Sequence, residues 1–165
     1  MITLLLDRDG TLIRDDPYSG DPSTVTLLPT VITGLQQAIR WGWRLIIITN
    51  QSGIARGLLT EASFWARHRQ VLVRLAHYDI PVTATYYCPH HPDGRVPRYT
   101  KACSCRKPAP GLLHQAMRDY QCAPETTHMI GDKPSDYDAG VRAGIHSHRL
   151  GIVSFETLIH RIRAS

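Results

Sequence analysis

The sequence lacks any long apolar run. The longest, residues 45–48, is far shorter than the ~20 apolar residues that a membrane-spanning helix needs. The first apolar run, residues 2–6, ends at Asp7 and is too short for the core of a secretory signal peptide. We therefore expect a cytoplasmic protein that has no membrane partner.

Runs of like charge are also missing. The 19 Lys and Arg against 14 Asp and Glu give a net charge of +5, but they are dispersed along the chain. A positive net charge suits an anionic partner, either a nucleic acid or a phosphorylated small molecule. Because we find neither a basic stripe nor an aromatic platform, we expect no nucleic-acid partner.

Length and composition fit an ordinary globular domain. The chain has 165 residues, of which 42% are hydrophobic and 20% are charged, and these values exclude a disordered tail or a coiled coil. It contains no internal repeat, low-complexity tract or long linker. We expect a single domain over residues 1–165, and a monomer.

Apolar strand patterns alternate with helical patterns along the chain. The predicted strands are residues 2–6, 44–49, 82–87, 127–130 and 147–150, and the predicted helices follow Pro29 and Thr60 and cover residues 110–120, 135–143 and 155–162. This alternation predicts an α/β fold, a Rossmann-like parallel sheet with helices on both faces. Roughly 38 residues separate the first polar motif from the second, which leaves no room for a large cap domain.

Three predicted strands end in polar motifs. They are residues 7–11 (DRDGT), residues 49–53 (TNQSG) and residues 131–136 (GDKPSD). Ligands of parallel α/β sheets bind beyond the carboxyl ends of the strands. We therefore expect the three motifs to converge on one site.

The first motif carries two carboxylates, Asp7 and Asp9. Two residues apart at the end of a strand, they point the same way and suit a shared Mg²⁺ ion. One carboxylate is able to attack a phosphoryl group, while the other protonates the leaving oxygen and later activates water. The alternative is a pair of capping aspartates in a turn, with Gly10 supplying a positive φ.

The other motifs supply groups that suit phosphate and metal. Thr49 and Asn50 offer a hydroxyl and an amide, Arg106 and Lys107 are paired cations, and Asp132 and Lys133 follow a strand. Asp132 would complete the magnesium site, and Lys133 would reach the substrate. Each feature taken alone also fits an ordinary loop or a solvated charge pair. Asp136 fits a metal ligand or a first-turn residue of a helix equally well.

Residues 88–107, the cysteine loop, are rich in Cys, His, Pro and Gly. Cys88, His90, Cys103 and Cys105 make up a tetrahedral Zn²⁺ set, and a zinc ion would order a loop with little apolar content. His91 competes with His90 as the fourth ligand. The alternative is a set of free cysteines beside unrelated histidines.

In this order, the four motifs DRDGT, TNQSG, RKP and GDKPSD resemble those of the haloacid dehalogenase-like phosphatases over nearly the whole chain. The resemblance implies that Asp7 is the nucleophile and Asp9 the proton donor. It implies that Asp7, the carbonyl of Asp9 and Asp132 hold magnesium. It further implies that the residues steadying the phosphoryl group are Thr49, Arg106 and Lys107.

The cysteine loop narrows this resemblance. TNQSGIARG, CPHHPDG and CSCRKP look like the zinc-containing D-glycero-D-manno-heptose-1,7-bisphosphate phosphatases, which are related to the histidinol-phosphate phosphatases. The resemblance implies hydrolysis of the 7-phosphate of that sugar, with histidinol phosphate as the alternative substrate. The implied substrate-binding residues are Asp15, Asp16, Pro17, Tyr18, Asn50, Gln51, Ser52 and Lys133.

One departure concerns residues 17–19, Pro-Tyr-Ser, where the heptose enzymes usually carry Gly-Tyr-Val. This segment is expected to lie beside the substrate, so the departure bears on which sugar phosphate is accepted. A rival hypothesis from another functional class is a zinc-stabilised nucleic-acid-binding module with an inactive phosphatase core. The presence of all the catalytic positions argues against that rival.

Overall fold

A parallel sheet organises the chain. The computed structural model describes residues 1–151 and 153–165, and its five-stranded sheet has the order β3-β2-β1-β4-β5. The strands are β1 Thr3–Leu6, β2 Arg44–Asn50, β3 Ala84–Cys88, β4 Thr127–Gly131 and β5 His146–Arg149. All four pairings are parallel. The predicted Rossmann-like α/β fold is confirmed.

The α-helices lie on both faces of the sheet, and two of them begin at a Thr or Ser side-chain cap. They are α1 Pro29–Arg40, α2 Ser52–Ala55, α3 Glu61–Ala76, α4 Gly111–Asp119, α5 Pro134–Arg142 and α6 Phe155–Ala164. Thr60 caps α3 by accepting from the backbone N–H of Ser63 at 3.0 Å, and Ser154 caps α6 in the same way. No helix in the described residues has the length and apolarity to cross a bilayer.

Two hydrophobic cores cover the two faces of the sheet. Leu4, Leu6 and Ile47 pack with α1, α3 and α6 on one face, whereas Leu5 and Ile46 pack with α4 and α5 on the other. Because successive strand residues point to opposite faces, a strand covered on both sides is apolar throughout. Each fully buried Leu or Ile contributes about 1.5–3 kcal/mol relative to an exposed one.

The strand order explains why the polar motifs meet. β1 lies between β2 and β4, so the segments that follow these three strands leave the sheet side by side. The backbone N–H of Asp7 donates to the carbonyl of Ile130 at 2.9 Å, which continues the pairing of β1 with β4 past the end of β1. The sheet itself therefore fixes the relative positions of Asp7, Thr49 and Asp132.

Candidate active site

At the carboxyl edge of the sheet, a lysine joins two buried aspartates. The Nζ of Lys107 donates to Asp7 at 2.6 Å, to Asp136 at 2.7 Å and to the carbonyl of Ile48 at 2.7 Å. We call Asp7, Lys107 and Asp136 the charged floor. Each of the three is at most 5% exposed, and buried charges of this kind persist only when they are paired and hydrogen-bonded.

Burial and neighbouring charges perturb the ionisation of this floor. Burial raises the pKa of Asp7 to about 7, although Lys107 opposes the shift. Burial lowers the pKa of Lys107, but Asp7 and Asp136 outweigh it and hold that pKa above its usual value. Lys107 is therefore the fixed positive charge of the floor. A cation beside Asp7 would favour its ionised form, which a nucleophilic role requires.

Asp132 completes an acidic group at the same edge. Carboxylate oxygens of Asp7, Asp132 and Asp136 all lie within 4.8 Å of one another. Thr11 Oγ1 donates to Asp132 at 3.3 Å, and Gly10, at φ +84°, lies so close to Asp132 that a side chain at this position would collide with it. Burial raises the pKa of Asp132 as well. Crowded carboxylates of this kind fit a hard divalent cation.

Asp9, two residues after Asp7, lines an open cleft. Its carboxylate accepts from Arg8 Nε and Arg8 Nη2 at 3.0 Å each and from Gln51 Nε2 at 2.8 Å. Gln51 Nε2 also donates to Thr49 Oγ1 at 2.9 Å. The structure thus brings the two motif aspartates into different settings, one buried under a lysine and one at the cleft wall.

The cleft encloses about 250 Å³. All eight residues predicted to bind substrate line it, together with Asp9: Asp15, Asp16, Pro17, Tyr18, Asn50, Gln51, Ser52 and Lys133. Lys133 Nζ lies 3.3 Å from Asp15 Oδ2, so an ion pair joins the segment after β4 to the loop after β1. Five other predicted site residues do not line it: Asp7, Thr49, Arg106, Lys107 and Asp132. The Nη1 of Arg106 is buried and has no hydrogen-bond partner among the described residues.

The side chain of Asn50 fixes the backbone of Lys107. Its Nδ2 donates to the carbonyl of Lys107 at 3.0 Å, and its Oδ1 accepts from the N–H of Lys107 at 3.1 Å. The neighbouring N–H of Gln51 donates to the carbonyl of Cys88 at 2.8 Å. Both ends of the cysteine loop are thus attached to residues 50 and 51. This attachment places Lys107 beside Asp7, although the two residues are 100 positions apart in the sequence.

Four donors of the cysteine loop form a compact group. The ligand atoms of Cys88, His90, Cys103 and Cys105 lie within 4.8 Å of one another, and Cys88 Sγ is 2.8 Å from Cys105 Sγ. That separation exceeds a disulfide bond, and the cysteines are free. Three thiols and one imidazole within reach of a common point fit a tetrahedral zinc ion.

The structure decides between the two histidines of this loop. His90 Nδ1 lies 3.3 Å from Cys105 Sγ, whereas His91 contacts Arg56 Nη2 at 3.2 Å, outside the group. Cys122 also lies outside it and contacts Arg44.

Sequence reasoning missed Arg8 and Arg67 and did not decide the role of Asp136. Arg8 was not recognised as the partner of Asp9, and the role of Asp136 was left open between a metal ligand and a helix residue. In the structure Asp136 holds Lys107 and also accepts from the N–H of Lys133 at 3.0 Å. Arg67 of α3, 1% exposed, was also missed. Its signal was present, because it falls on the buried face of the helix between Phe64 and Val71.

The chain is similar to proteins of a known family. The HAD-hydrolase-like family model matches residues 104–149. The chain is 40% identical over 143 residues to the D-glycero-beta-D-manno-heptose-1,7-bisphosphate 7-phosphatase of Escherichia coli strain K12. The aligned region covers 86% of this chain and 74% of that relative.

Two crystal structures are similar over nearly the whole chain. A putative HAD-like phosphatase from Mesorhizobium loti superposes with a TM-score of 0.90 at 30% identity, covering 99% of this chain and 87% of its own. The D,D-heptose 1,7-bisphosphate phosphatase of B. bronchiseptica, complexed with magnesium and phosphate, has a TM-score of 0.85 at 26% identity and covers 99% of both chains.

Proposed function

Because this chain belongs to the haloacid dehalogenase-like phosphatases, and is thus a phosphoric monoester hydrolase, we propose that it removes the 7-phosphate of D-glycero-D-manno-heptose 1,7-bisphosphate. The observation that carries this proposal is the buried, lysine-bound Asp7, followed two residues later by Asp9 on the wall of a small cleft. The E. coli and B. bronchiseptica relatives, named for this sugar phosphate, support the choice of substrate.

Asp7 acts as the nucleophile in this proposal. One of its carboxylate oxygens bonds to phosphorus while the bond from phosphorus to the sugar oxygen breaks, which gives an aspartyl phosphate and the sugar alcohol. Water then attacks the same phosphorus, the bond between phosphorus and the Asp7 oxygen breaks, and inorganic phosphate leaves. Lys107, donating at 2.6 Å, orients the carboxylate.

Asp9 moves the proton in both steps. It gives a proton to the departing sugar oxygen, and the resulting carboxylate later takes a proton from the attacking water. Its carboxylate accepts hydrogen bonds from Arg8 and Gln51. The first step therefore requires Asp9 to exchange its contact with Arg8 for the leaving oxygen.

The acidic group at the sheet edge fits Mg²⁺. Asp7, the backbone carbonyl of Asp9 and Asp132 would hold the ion, which supplies positive charge beside the transferring phosphoryl group. Thr49 and Lys107 would steady phosphoryl oxygens at the floor. Arg106 would add a second cation, which is supported by its buried Nη1, without a hydrogen-bond partner in the described residues.

The cysteine loop fits a structural zinc ion held by Cys88, His90, Cys103 and Cys105. With four protein ligands such a site is closed to substrate, so its contribution is to order the loop. Lys107 follows two residues after Cys105, so ordering the loop also places a floor residue. A cytoplasmic, monomeric enzyme formed by a single domain over residues 1–165 completes the proposal, and the four free thiols are consistent with a reducing compartment.

A phosphate-release assay over a panel of phosphomonoesters tests this function. The panel contains both anomers of the heptose 1,7-bisphosphate, histidinol phosphate, glycerol phosphates and p-nitrophenyl phosphate, each with Mg²⁺ present. We expect the largest kcat/KM on a heptose bisphosphate, with one phosphate released per sugar. A higher kcat/KM on histidinol phosphate would replace the proposed substrate, and no turnover on any ester would refute the proposed function.

A further inference from the structure

One wall of the cleft is an irregular loop. The entrance loop, residues 15–24, leaves the sheet after β1 and contains only the short 3₁₀ turn Pro22–Thr24. Its first five residues line the cleft. An irregular segment with no core of its own keeps one shape only if other parts of the protein hold it.

One nitrogen of Arg67 holds this loop. Three acceptors lie within hydrogen-bond distance of Arg67 Nη1 and share its two hydrogens: Ser19 Oγ at 3.0 Å, the carbonyl oxygen of Asp21 at 2.8 Å and Thr24 Oγ1. The same nitrogen lies 3.6 Å from Asp16 Oδ2. Four loop residues thus contact a single nitrogen of the buried Arg67 side chain, which extends from α3.

Close packing on the same helix supports the contact. Ser63 lies one turn before Arg67, and a side chain at Gly20 would come within 2.9 Å of Ser63 Cβ. On the cleft side, Tyr18 has φ +61°, a left-handed conformation that is unusual for a tyrosine. Its ring lies against Gly53, where an added Cβ would be 2.8 Å from Tyr18 Cδ1. Such a conformation persists only where its surroundings hold it.

Arg67 itself does not line the cleft. Its influence on a bound molecule must therefore pass through Asp16 and Ser19, which do. We infer that Arg67 is a positioning residue that sets the selectivity of the cleft for the sugar part of the substrate. This inference rests on the proposed phosphatase function and names a determinant that lies outside the sequence motifs.

The chemistry of the loop indicates which part of a substrate it recognises. Asp15, Asp16 and Ser19 present carboxylates and a hydroxyl, which pair with the hydroxyl groups of a polyol. The proposed nucleophile, Asp7, belongs to the buried charged floor and does not itself line the cleft. A loosened loop should therefore weaken binding of the sugar and leave the phosphoryl chemistry intact.

The test compares Arg67→Met and Arg67→Lys with the wild type on two substrates. For the sugar bisphosphate we expect KM to rise by ~10–100-fold in Arg67→Met, since several hydrogen bonds to a charged group are lost. For p-nitrophenyl phosphate, which has no polyol, we expect kcat/KM within about threefold of the wild type. Arg67→Lys should fall between, because a lysine reaches fewer of the partners.

Arg74→Met is the matched control. Arg74 lies on the same helix, and its Nε is buried and has no partner in the part of the chain that the structure describes. It lines a different surface cavity, with Gln70 and His77. It should change neither KM. Thr24→Val removes one partner of Arg67 outside the cleft lining and should raise KM for the sugar in the same direction by a smaller factor. If Arg67→Met does not fold, Thr24→Val still tests the contact between Arg67 and the entrance loop.

Amide hydrogen exchange of residues 15–24 gives a readout that needs no substrate. We expect faster exchange there in Arg67→Met and not in Arg74→Met. If the wild type hydrolyses only p-nitrophenyl phosphate, the proposed sugar substrate is wrong, while exchange still tests the role of Arg67. Equal losses of kcat/KM on both substrates, or unchanged exchange in the loop, would overturn the inference.

Discussion

The charged floor and the entrance loop are assembled by different means. Asp7 follows β1 directly, Asp136 lies in the first turn of α5, and both bind a lysine that is 2% exposed. The entrance loop has no strand neighbours, exposes 46% of Tyr18 and depends on side-chain contacts from α3. The sheet, α5 and the side chain of Asn50 fix the first region, whereas side chains of a single helix fix the second.

The difference separates two properties of the enzyme. Changes at the floor should alter the reaction step for every substrate, because all phosphoryl groups meet the same nucleophile. Changes at the entrance loop should alter binding according to the rest of the substrate. The predictions below test this separation, beginning with the largest effect.

Asp7→Asn should remove activity on every substrate, by more than ~10⁴-fold in kcat, since an amide is a poor nucleophile. Circular dichroism and zinc content should be unchanged. Asp138→Asn, an exposed position on α5, is the matched control and should keep full activity. Appreciable turnover by Asp7→Asn would contradict an aspartyl-phosphate mechanism.

Asp9→Asn should lower kcat by ~10²–10⁴-fold for the sugar bisphosphate, the usual contribution of a positioned proton donor. The loss should be smaller for p-nitrophenyl phosphate, because nitrophenolate leaves without needing a proton. Steady-state kinetics on both esters measures the difference. Identical losses would mean that Asp9 does not protonate the leaving group.

Cys105→Ser should lower zinc content and thermal stability, and should reduce kcat by ~10-fold on both substrates, through misplacement of Lys107. Cys122→Ser, outside the thiol group, should change none of these. In the wild type, mild EDTA should remove activity that Mg²⁺ alone restores, with zinc retained. A Cys105→Ser protein with normal zinc and kinetics would separate the cysteine loop from the floor.

Acid should weaken the helix that supports the entrance loop. His68 of α3 is fully buried, and burial together with the charge of Arg8 lowers its pKa to about 4. The unfolded chain takes up this proton near pH 6.5, so His68 costs the folded state stability as the pH falls from about 6.5 to 4. Chemical denaturation over this range should show that the free energy of unfolding falls less steeply with decreasing pH in His68→Gln than in the wild type. His77→Gln, exposed at the end of the same helix, should retain the wild-type slope.

Lys133→Met should have the smallest effect. Its ion pair with Asp15 is 3.3 Å long, and the two side chains are 51% and 41% exposed, so its contribution to stability is at most ~1 kcal/mol. We expect an unchanged melting temperature and a rise in KM of ~3-fold for the sugar bisphosphate. A large fall in kcat would mean that Lys133 takes part in the reaction step, as the floor residues do, and not only in binding the sugar.

The predictable part of the molecule follows the same division. Apolar runs such as residues 2–6 and 44–49 indicated the strands, and the polar motifs behind them indicated where Asp7 and Asp132 would meet. The contact of Asn50 with Lys107 was out of reach, because it joins backbone atoms 57 positions away to an ordinary loop amide. The role of Arg67 depends on a loop shape that no local pattern encodes. Its burial, by contrast, was readable from the helical period.

The attachment of both ends of the cysteine loop to residues 50 and 51 has a consequence for how this protein family can change. A segment that leaves and rejoins the sheet at the same dipeptide spans almost no distance, so its interior is free to lengthen, shorten or exchange its metal ligands without stretching any strand. The loop behaves as a module inserted into the sheet edge. Its two anchoring contacts, rather than its length or sequence, are what an insertion or deletion must preserve.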